Sequence, residues 1–249
     1  MRRPKVYVKL QGGFANRLIQ VMYADSLKKQ GVSVSLVAPK KIYTELEDHL
    51  LKDHRLANLA EKALIYISKY PLNRINPITV IKLNEAYEDI RTSYFFKNTR
   101  FIYYLVGYFQ GKKYFHEPIQ IAARENVSVD VEGDLTAQDK KLLECLRTGD
   151  TVAVHVRLGD YLKNSERYGD IATNLYYRKA LAFMRENLGE VKFHVFSNDP
   201  MTAKEAIDSG QYRIEASQST RNYLVDFFLM SQSANIITAN STFSIMAAY

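Results

Sequence analysis

Three side chains that can bind an anion or carry a proton follow an apolar run in the second half of the chain. The run over residues 152–156 is typical of a strand buried on both faces, and His155, Arg157 and Asp160 lie where that strand should end. Ligands of open parallel sheets bind outside the carboxyl ends of the strands, so we predict that Arg157 holds a phosphate. Taken alone, an ion pair between Arg157 and Asp160 explains the same residues equally well.

A second polar cluster follows a short apolar stretch near the end of the sequence. Residues 236–239 predict a strand, and Asn240, Ser241, Thr242, Phe243 and Ser244 come directly after it and open a predicted helix. Hydroxyls and backbone N–H groups at a helix start form a neutral cradle for phosphate oxygens. An ordinary N-cap is the alternative interpretation, because serine and threonine cap many helices.

A third candidate lies near the N-terminus. Residues 6–10 alternate as a strand and stop at Gly12 and Gly13, and a helix should begin at once at Phe14. A glycine turn between a strand and a helix leaves backbone N–H groups available to an anion or a hydroxyl. The polar side chains of Asn16 and Arg17 project from the first turn of that helix.

The elements that must position these residues alternate between strand and helix in both halves of the chain. This alternation predicts an α/β protein with two Rossmann-like domains facing across a cleft, a domain of residues 1–148 and a domain of residues 149–249. The predicted strands are 6–10, 32–38, 101–106, 127–131, 152–156, 191–196 and 236–239. The predicted helices are 14–27, 56–67, 136–146, 174–188, 200–210, 220–233 and one that opens near 242.

Composition narrows the class of protein. The chain has 249 residues, 47% hydrophobic residues and one cysteine, so it predicts a folded protein without an intrachain disulfide, in the cytoplasm. No apolar run approaches the roughly 18 to 20 residues that span a bilayer. A net charge of +7 favours anionic partners such as nucleotides or a charged membrane surface. Because the lysines and arginines are scattered, we expect no nucleic-acid partner.

The sequence offers little for a metal ion. Asp130 and Glu132 flank Val131 and are the nearest approach to the Asp-x-Asp pair that binds a divalent cation in many sugar transferases. The alternation over 127–131 puts both carboxylates on the solvated face of a short strand. We therefore predict no metal site.

Several stretches together resemble the bacterial α-1,2-fucosyltransferases of glycosyltransferase family 11. In chain order these stretches are GGFANRLIQ, GYFQGKKYF, HVRLGDY, NLYYRKAL, FHVFSNDP and DFFLMSQSANIITANSTFSIMAAY. The resemblance implies a GT-B-like fold and an inverting transfer of L-fucose from GDP-fucose to O2 of a galactose in a glycan. It also implies that no metal or other cofactor is required, and that the enzyme works in the cytoplasm or at the membrane periphery.

The same resemblance assigns expected roles to residues. Arg157 would grip the pyrophosphate of the donor with His155 nearby, Asp226 would accept hydrogen bonds from guanine, and Asn16 would lie close to the transferred sugar. Asp160 is a further candidate for catalysis. The remaining expected donor-binding residues are Gly13, Ser241, Thr242, Phe243 and Ser244.

The chain also departs from the family pattern. Leu158 stands where a second arginine is usual, Arg17 replaces a glutamine, and Ile245 and Met246 replace paired tryptophans. The family extends beyond the position of Tyr249, so the C-terminal domain is expected to be truncated. Two other functions stay open at this point: a transferase for another GDP-sugar or linkage, and a non-catalytic nucleotide-binding protein.

Overall fold

The computed structural model describes residues 5–38, 51, 55–67, 80–84, 101–110, 131–158, 175–217 and 222–248. The chain divides into two compact units, Met1–Asn126 and Val127–Tyr249. The division lies earlier than the boundary at residue 148 that the sequence predicted. The helix Ala137–Thr148 packs against the strand Thr151–His155 and so belongs to the second unit.

The first unit contains a four-stranded parallel sheet. Its strands stand in the order β2-β1-β4-β3, with Val6 beside Val34 on one side and beside Tyr103 on the other. The described elements are β1 (Lys5–Lys9), α1 (Phe14–Lys29), β2 (Ser33–Val37), α2 (Leu59–Ile67), β3 (Val80–Asn84) and β4 (Ile102–Val106).

Helix α1 begins directly after the glycine turn, as predicted. Gly13 is its N-cap, and Lys28 and Lys29 lie in its last turn, where cations complement the helix dipole. Gly31 follows with φ of 84°, a conformation that glycine adopts without a steric penalty. Eleven of the sixteen residues of α1 are buried, so this helix is packed around most of its circumference.

The second unit contains another four-stranded parallel sheet, in the order β7-β6-β5-β8. Its described elements are a 3-10 turn (Glu132–Asp134), α3 (Ala137–Thr148), β5 (Thr151–His155), α4 (Leu175–Leu188), β6 (Lys192–Phe196), α5 (Pro200–Ile207), β7 (Ile214–Ala216), α6 (Tyr223–Ser231), β8 (Ile236–Ile237) and α7 (Thr242–Ala248). The two parallel sheets confirm the α/β class and the Rossmann-like architecture of both units. The strand predicted up to Val131 is wrong at its end, because the backbone at Val131 is already helical.

Local sequence explains where the helices of this unit begin. Thr136 and Asp139 form a reciprocal capping box at the start of α3: Asp139 N–H donates to the Thr136 hydroxyl, and Thr136 N–H donates to the Asp139 carboxylate. The Asp199 carboxylate accepts from Thr202 N–H at the start of α5, and Pro200 occupies the first helical position. The helices predicted over 136–146 and 200–210 begin at these two caps.

The two faces of this sheet are covered by different helices. Val152 and Val154 of β5 pack with Phe193 of β6 and with Tyr177 and Leu181 of α4. The alternate residues of β5 point to the opposite face, and there His155 contacts the aromatic ring of Phe243 in α7. Helices α4 and α7, which follow neighbouring strands, therefore lie on opposite faces of the sheet.

Within the described ranges, no helix has both the length and the apolar composition that a bilayer span needs.

Candidate functional site

The order of strands in the second unit places its crevice between β5 and β8. From β5 the chain moves outward to β6 and β7, and α6 then returns it to β8 on the other side of β5. Ligands of open parallel sheets bind at such a reversal, outside the carboxyl ends of the two strands. Val154 is paired with Ile237 across this boundary, so the segments that follow β5 and β8 start at one edge of the sheet.

His155 is the last residue of β5 and is 4% exposed. Its carbonyl accepts a hydrogen bond of 2.9 Å from the Tyr177 hydroxyl, and its ring centroid lies 5.6 Å from that of Phe243. Among the residues that the structure describes, its Nδ1 has no hydrogen-bond partner. Burial, reinforced by the nearby positive charge of Arg157, lowers the pKa of His155 to about 3. The imidazole is therefore neutral at physiological pH.

Arg157 is half-buried and follows β5 by two residues. Both of its neighbours are fixed to the end of β6. Val156 N–H donates to the Phe196 carbonyl at 2.9 Å, and Leu158 N–H donates to Oδ1 of Asn198 at 3.2 Å. These two bonds hold the backbone that carries the guanidinium.

The residues Ser241–Ser244, which follow β8, have two different roles. Ser244 is fully buried, and its Oγ accepts from Ala239 N–H at 3.2 Å, so this hydroxyl shapes the turn. Ser241 is also buried, and its Oγ accepts from Phe243 N–H at 3.4 Å. Within Ser241–Ser244, Thr242 and Phe243 are half-buried, so a ligand reaches them more readily than the two serines.

Asp226 lies in α6 and is 9% exposed in a helix that is otherwise almost wholly apolar. The next residue, Phe227, packs edge to face on Phe243 with ring centroids 5.4 Å apart, and Tyr223 lies 6.5 Å from the same ring. Helix α6 is thereby joined to the start of α7. A carboxylate is seldom buried to this extent unless it is paired.

The first unit holds the remaining predicted residues. Gly13 forms the start of α1, and the Asn16 side-chain carbonyl accepts a hydrogen bond of 2.9 Å from Nε2 of Gln110. Arg17, which replaces the glutamine usual in the family, donates from Nη1 to the Gly12 carbonyl at 2.6 Å and so braces the glycine turn.

The second unit thus brings together His155, Arg157, Asp226 and the cluster Ser241–Ser244, while Gly13 and Asn16 are grouped in the first unit. Asp160 and Asp130 lie outside the described residues. Within the described part of the chain, no group of three or more histidine, cysteine, aspartate or glutamate side chains is arranged to hold a metal ion.

Sequence reasoning missed Asn198 and Gln110. Each follows a strand that neighbours one of the predicted site loops: Asn198 comes after β6, and Gln110 comes after β4. Their place next to the site loops depends on the order of the strands in each sheet. The sequence alone does not give that order, so neither residue could be identified from it.

The model of the family described as glycosyl transferase family 11 matches residues 79–249. The chain belongs to glycosyl transferase family 11. The match spans the whole second unit and therefore includes the strand ends that carry Arg157 and Thr242. A polar crevice at the carboxyl edge of a parallel sheet is the kind of site that a family 11 glycosyltransferase needs for its sugar donor.

Two curated relatives of this family 11 chain come from Escherichia coli. The chain is 25% identical to an α-1,2-colitosyltransferase, with 98% of this chain and 87% of the relative covered. It is also 25% identical to the O-antigen biosynthesis glycosyltransferase WbnK, with 98% and 89% covered.

Two solved structures are similar to this chain. The chain is similar to POFUT1 in complex with GDP, with a TM-score of 0.49 at 12% identity, covering 99% of this chain and 94% of that one. It is also similar to a FUT1 variant from Arabidopsis thaliana in complex with GDP, with a TM-score of 0.46 at 12% identity, covering 98% and 68%.

Proposed function

We propose that this family 11 glycosyltransferase moves L-fucose from GDP-fucose to O2 of a galactose residue in a glycan. One observation carries the proposal: the segment with Arg157 and the start of α7 leave neighbouring strand ends and are joined by the contact between His155 and Phe243. A cation and a helix start at one crevice suit a diphosphate, which needs both charge and hydrogen-bond donors.

The reaction breaks the bond between C1 of the fucose and the β-phosphate oxygen of GDP. A new bond forms between C1 and O2 of the acceptor on the opposite face, and the proton of the acceptor hydroxyl is released to solvent. Negative charge grows on the β-phosphate as GDP departs. The Arg157 guanidinium stabilises that charge in a partly buried site, where it acts more strongly than in water.

The neutral state of His155 suits this role. Its ring is buried beside Arg157 and its pKa is about 3, so it adds no charge to the crevice at physiological pH. A neutral imidazole can donate or accept one hydrogen bond at Nδ1, depending on its tautomer. We assign it to a ribose hydroxyl or a phosphate oxygen of the donor.

Of the remaining residues, some contact the donor directly and others hold those residues in place. Asp226 accepts hydrogen bonds from guanine, and Thr242 and Phe243 contact the phosphates and the nucleoside. Ser241 and Ser244, whose hydroxyls are engaged in the turn before α7, fix the position of those two residues. In the first unit, the backbone of Gly13 and the side chain of Asn16 contact the sugar that is transferred.

The proposal includes an inverting mechanism without a metal cofactor. The test is incubation of the purified chain with GDP-fucose and a panel of galactosides, with and without a chelator, followed by determination of the linkage in the product. We expect one α-1,2-linked fucose per acceptor at a rate that the chelator does not change. A different linkage, or a rate that requires added metal, would contradict the proposal.

A second donor has support from one relative. The similarity to an α-1,2-colitosyltransferase favours GDP-colitose as the alternative donor with the same linkage. Direct competition between the two GDP-sugars distinguishes them: the true donor gives the higher kcat/KM with the same acceptor.

A further inference from the structure

The loops that follow β1 and β4 in the first unit are fastened to each other. The two strands are parallel neighbours, with Val8 beside Leu105, so both loops start at the same edge of the sheet. The fully buried amide of Gln20 accepts from Gln11 N–H at 2.9 Å and donates to the Gly107 carbonyl at 2.8 Å. A side chain that bonds to both loops holds them at a fixed distance.

The loop after β4 contains a strained residue. Phe109 has φ of 53°, in the left-handed region, which carries a steric cost for a bulky side chain. Its fully buried ring stacks on Tyr23 with centroids 4.1 Å apart and planes inclined at 18°, which offsets that cost. The turn leaves the residues on either side of it, Tyr108 and Gln110, exposed. Strain of this kind is concentrated at functional sites.

The two loops meet over Gly12. A Cβ atom on Gly12 would lie 2.7 Å from Nδ2 of Asn16 and 3.1 Å from Cε1 of Tyr108. Any side chain at position 12 would therefore push these two groups away. Glycine at this position allows the Asn16 amide and the Tyr108 ring to approach the same point.

The hydrogen bond between Gln110 and Asn16 gives the Asn16 amide a direction. Gln110 Nε2 donates to Oδ1 of Asn16 at 2.9 Å, although the residues are 94 positions apart in the chain. An asparagine amide offers one acceptor oxygen and one NH2 group with two donors. Because the oxygen accepts from Gln110, the NH2 group is the end that Asn16 presents as a donor.

We propose that Gln110 is a positioning residue for the transfer reaction, which orients Asn16 so that its NH2 group donates to an oxygen of a sugar. The inference rests on the proposed function, in which Asn16 contacts the transferred sugar. The chemistry fits a sugar: a planar amide beside an exposed aromatic ring provides a donor for a hydroxyl and a flat apolar surface for the C–H groups next to it. The oxygen belongs either to the donor sugar or to the acceptor sugar.

The experiment is a double-mutant cycle with the full chain, using the GDP-sugar and the galactoside that the parent turns over. We expect Gln110→Ala to lower kcat/KM by about tenfold to a hundredfold, because a misplaced contact group costs a factor of that size. Asn16→Ala should cost at least as much. The double variant should lie within about twofold of Asn16→Ala, because a residue that acts through Asn16 has nothing left to orient.

Gln110→Glu tests the direction of the amide. A glutamate at this position can only accept, so it turns the Asn16 NH2 group toward itself, and the loss should equal or exceed that of Gln110→Ala. The matched control is Gln232→Ala, which removes another exposed glutamine contact between distant positions, the bond that Arg147 donates to Gln232 at 2.9 Å. This control should keep the kcat and KM of the parent. Gln110 is exposed, so its variants should melt within a few degrees of the parent.

Two further measurements identify the sugar. If Asn16 contacts the donor, Gln110→Ala lowers the hydrolysis of the GDP-sugar without acceptor in parallel with transfer. If Asn16 contacts the acceptor, hydrolysis is unchanged and the KM for the galactoside rises. Turnover by Gln110→Ala within twofold of the parent, or additive losses in the double variant, would overturn this inference and leave the proposed function intact. A parent that turns over no GDP-sugar would overturn the proposed function and this inference with it.

Discussion

The ring centroids of His155 and Phe243 lie 5.6 Å apart, with the two planes inclined at 45°. His155 ends the central strand β5, and Phe243 is the second residue of α7, so one contact joins two polar segments that are remote in sequence. His155 is buried, and Phe243 packs in turn on Phe227 of α6. The segments that carry Arg157 and Thr242 are therefore anchored to one aromatic cluster.

Arg157 should be the most sensitive position in the second unit. We expect Arg157→Ala to lower kcat by roughly two to three powers of ten, because a donor to the developing charge on the leaving group is lost. Arg157→Lys should recover only part of the rate, since an ammonium cannot make the forked contact of a guanidinium. Steady-state kinetics with saturating donor measure both effects.

The control for Arg157 is Arg178→Ala, which removes an exposed arginine from α4. It should keep the kcat of the parent, and circular dichroism should show the same fold for all three variants. An Arg157→Ala enzyme that works within a few fold of the parent would remove the phosphate role.

Asn198 should act through the segment that carries Arg157. Asn198→Ala leaves the N–H of Leu158 without the oxygen that it now contacts at 3.2 Å, so the guanidinium loses part of its support. We expect kcat to fall by about tenfold, with little change in the KM for the acceptor. Asn187→Ala removes a comparable bond, from the amide to the Phe183 carbonyl on the surface of α4, and should leave the kinetics unchanged. Equal kinetics for the two variants would show that Asn198 does not position Arg157.

Asp226 should determine the affinity for the guanine base. Asp226→Ala should weaken GDP binding by about tenfold to a hundredfold, because hydrogen bonds to a charged acceptor contribute about 1.5–3 kcal/mol each. The KM for the acceptor should change far less. Titration calorimetry measures the affinity for GDP in the parent and in the variant. UDP is the control ligand, and its weak binding should be the same in both proteins. An unaltered GDP affinity would disprove the guanine contact.

Sequence patterns predicted the regular elements well wherever the period was clear. Alternation at Val6 and Val8 gave β1, the apolar run before Arg157 gave β5, and Thr136 gave the start of α3. Each of these signals is local, because it depends on the burial of neighbouring residues or on one cap. The short strand Ile214–Ala216 was not predicted, since three residues are too few to establish a period.

The contacts between strands could not be predicted in the same way. That the segments with Arg157 and Thr242 leave neighbouring strand ends follows from the pairing of β5 with β8, which is a property of the sheet and not of either segment. The same reason explains why Asn198 and Gln110 were missed. The structure divides the units before α3, whereas the sequence predicted a boundary at residue 148, because the packing of α3 on β5 leaves no signal in the sequence.

His155 should make the stability of the protein depend on pH. The imidazole titrates near 6.5 in the unfolded chain and at about 3 in the folded one, so the folded state binds fewer protons between these values. Its contribution to stability is complete above pH 6.5 and is lost as the pH falls toward 3. Relative to His155→Gln, the parent should lose about 2 kcal/mol of unfolding free energy between pH 7.5 and pH 5. Urea unfolding of both proteins at several pH values in that range measures the difference in unfolding free energy. Subtracting one protein from the other removes the contribution of the carboxylates that both contain. A difference that stays constant with pH would mean that the buried ring accepts a proton as easily as a solvated one.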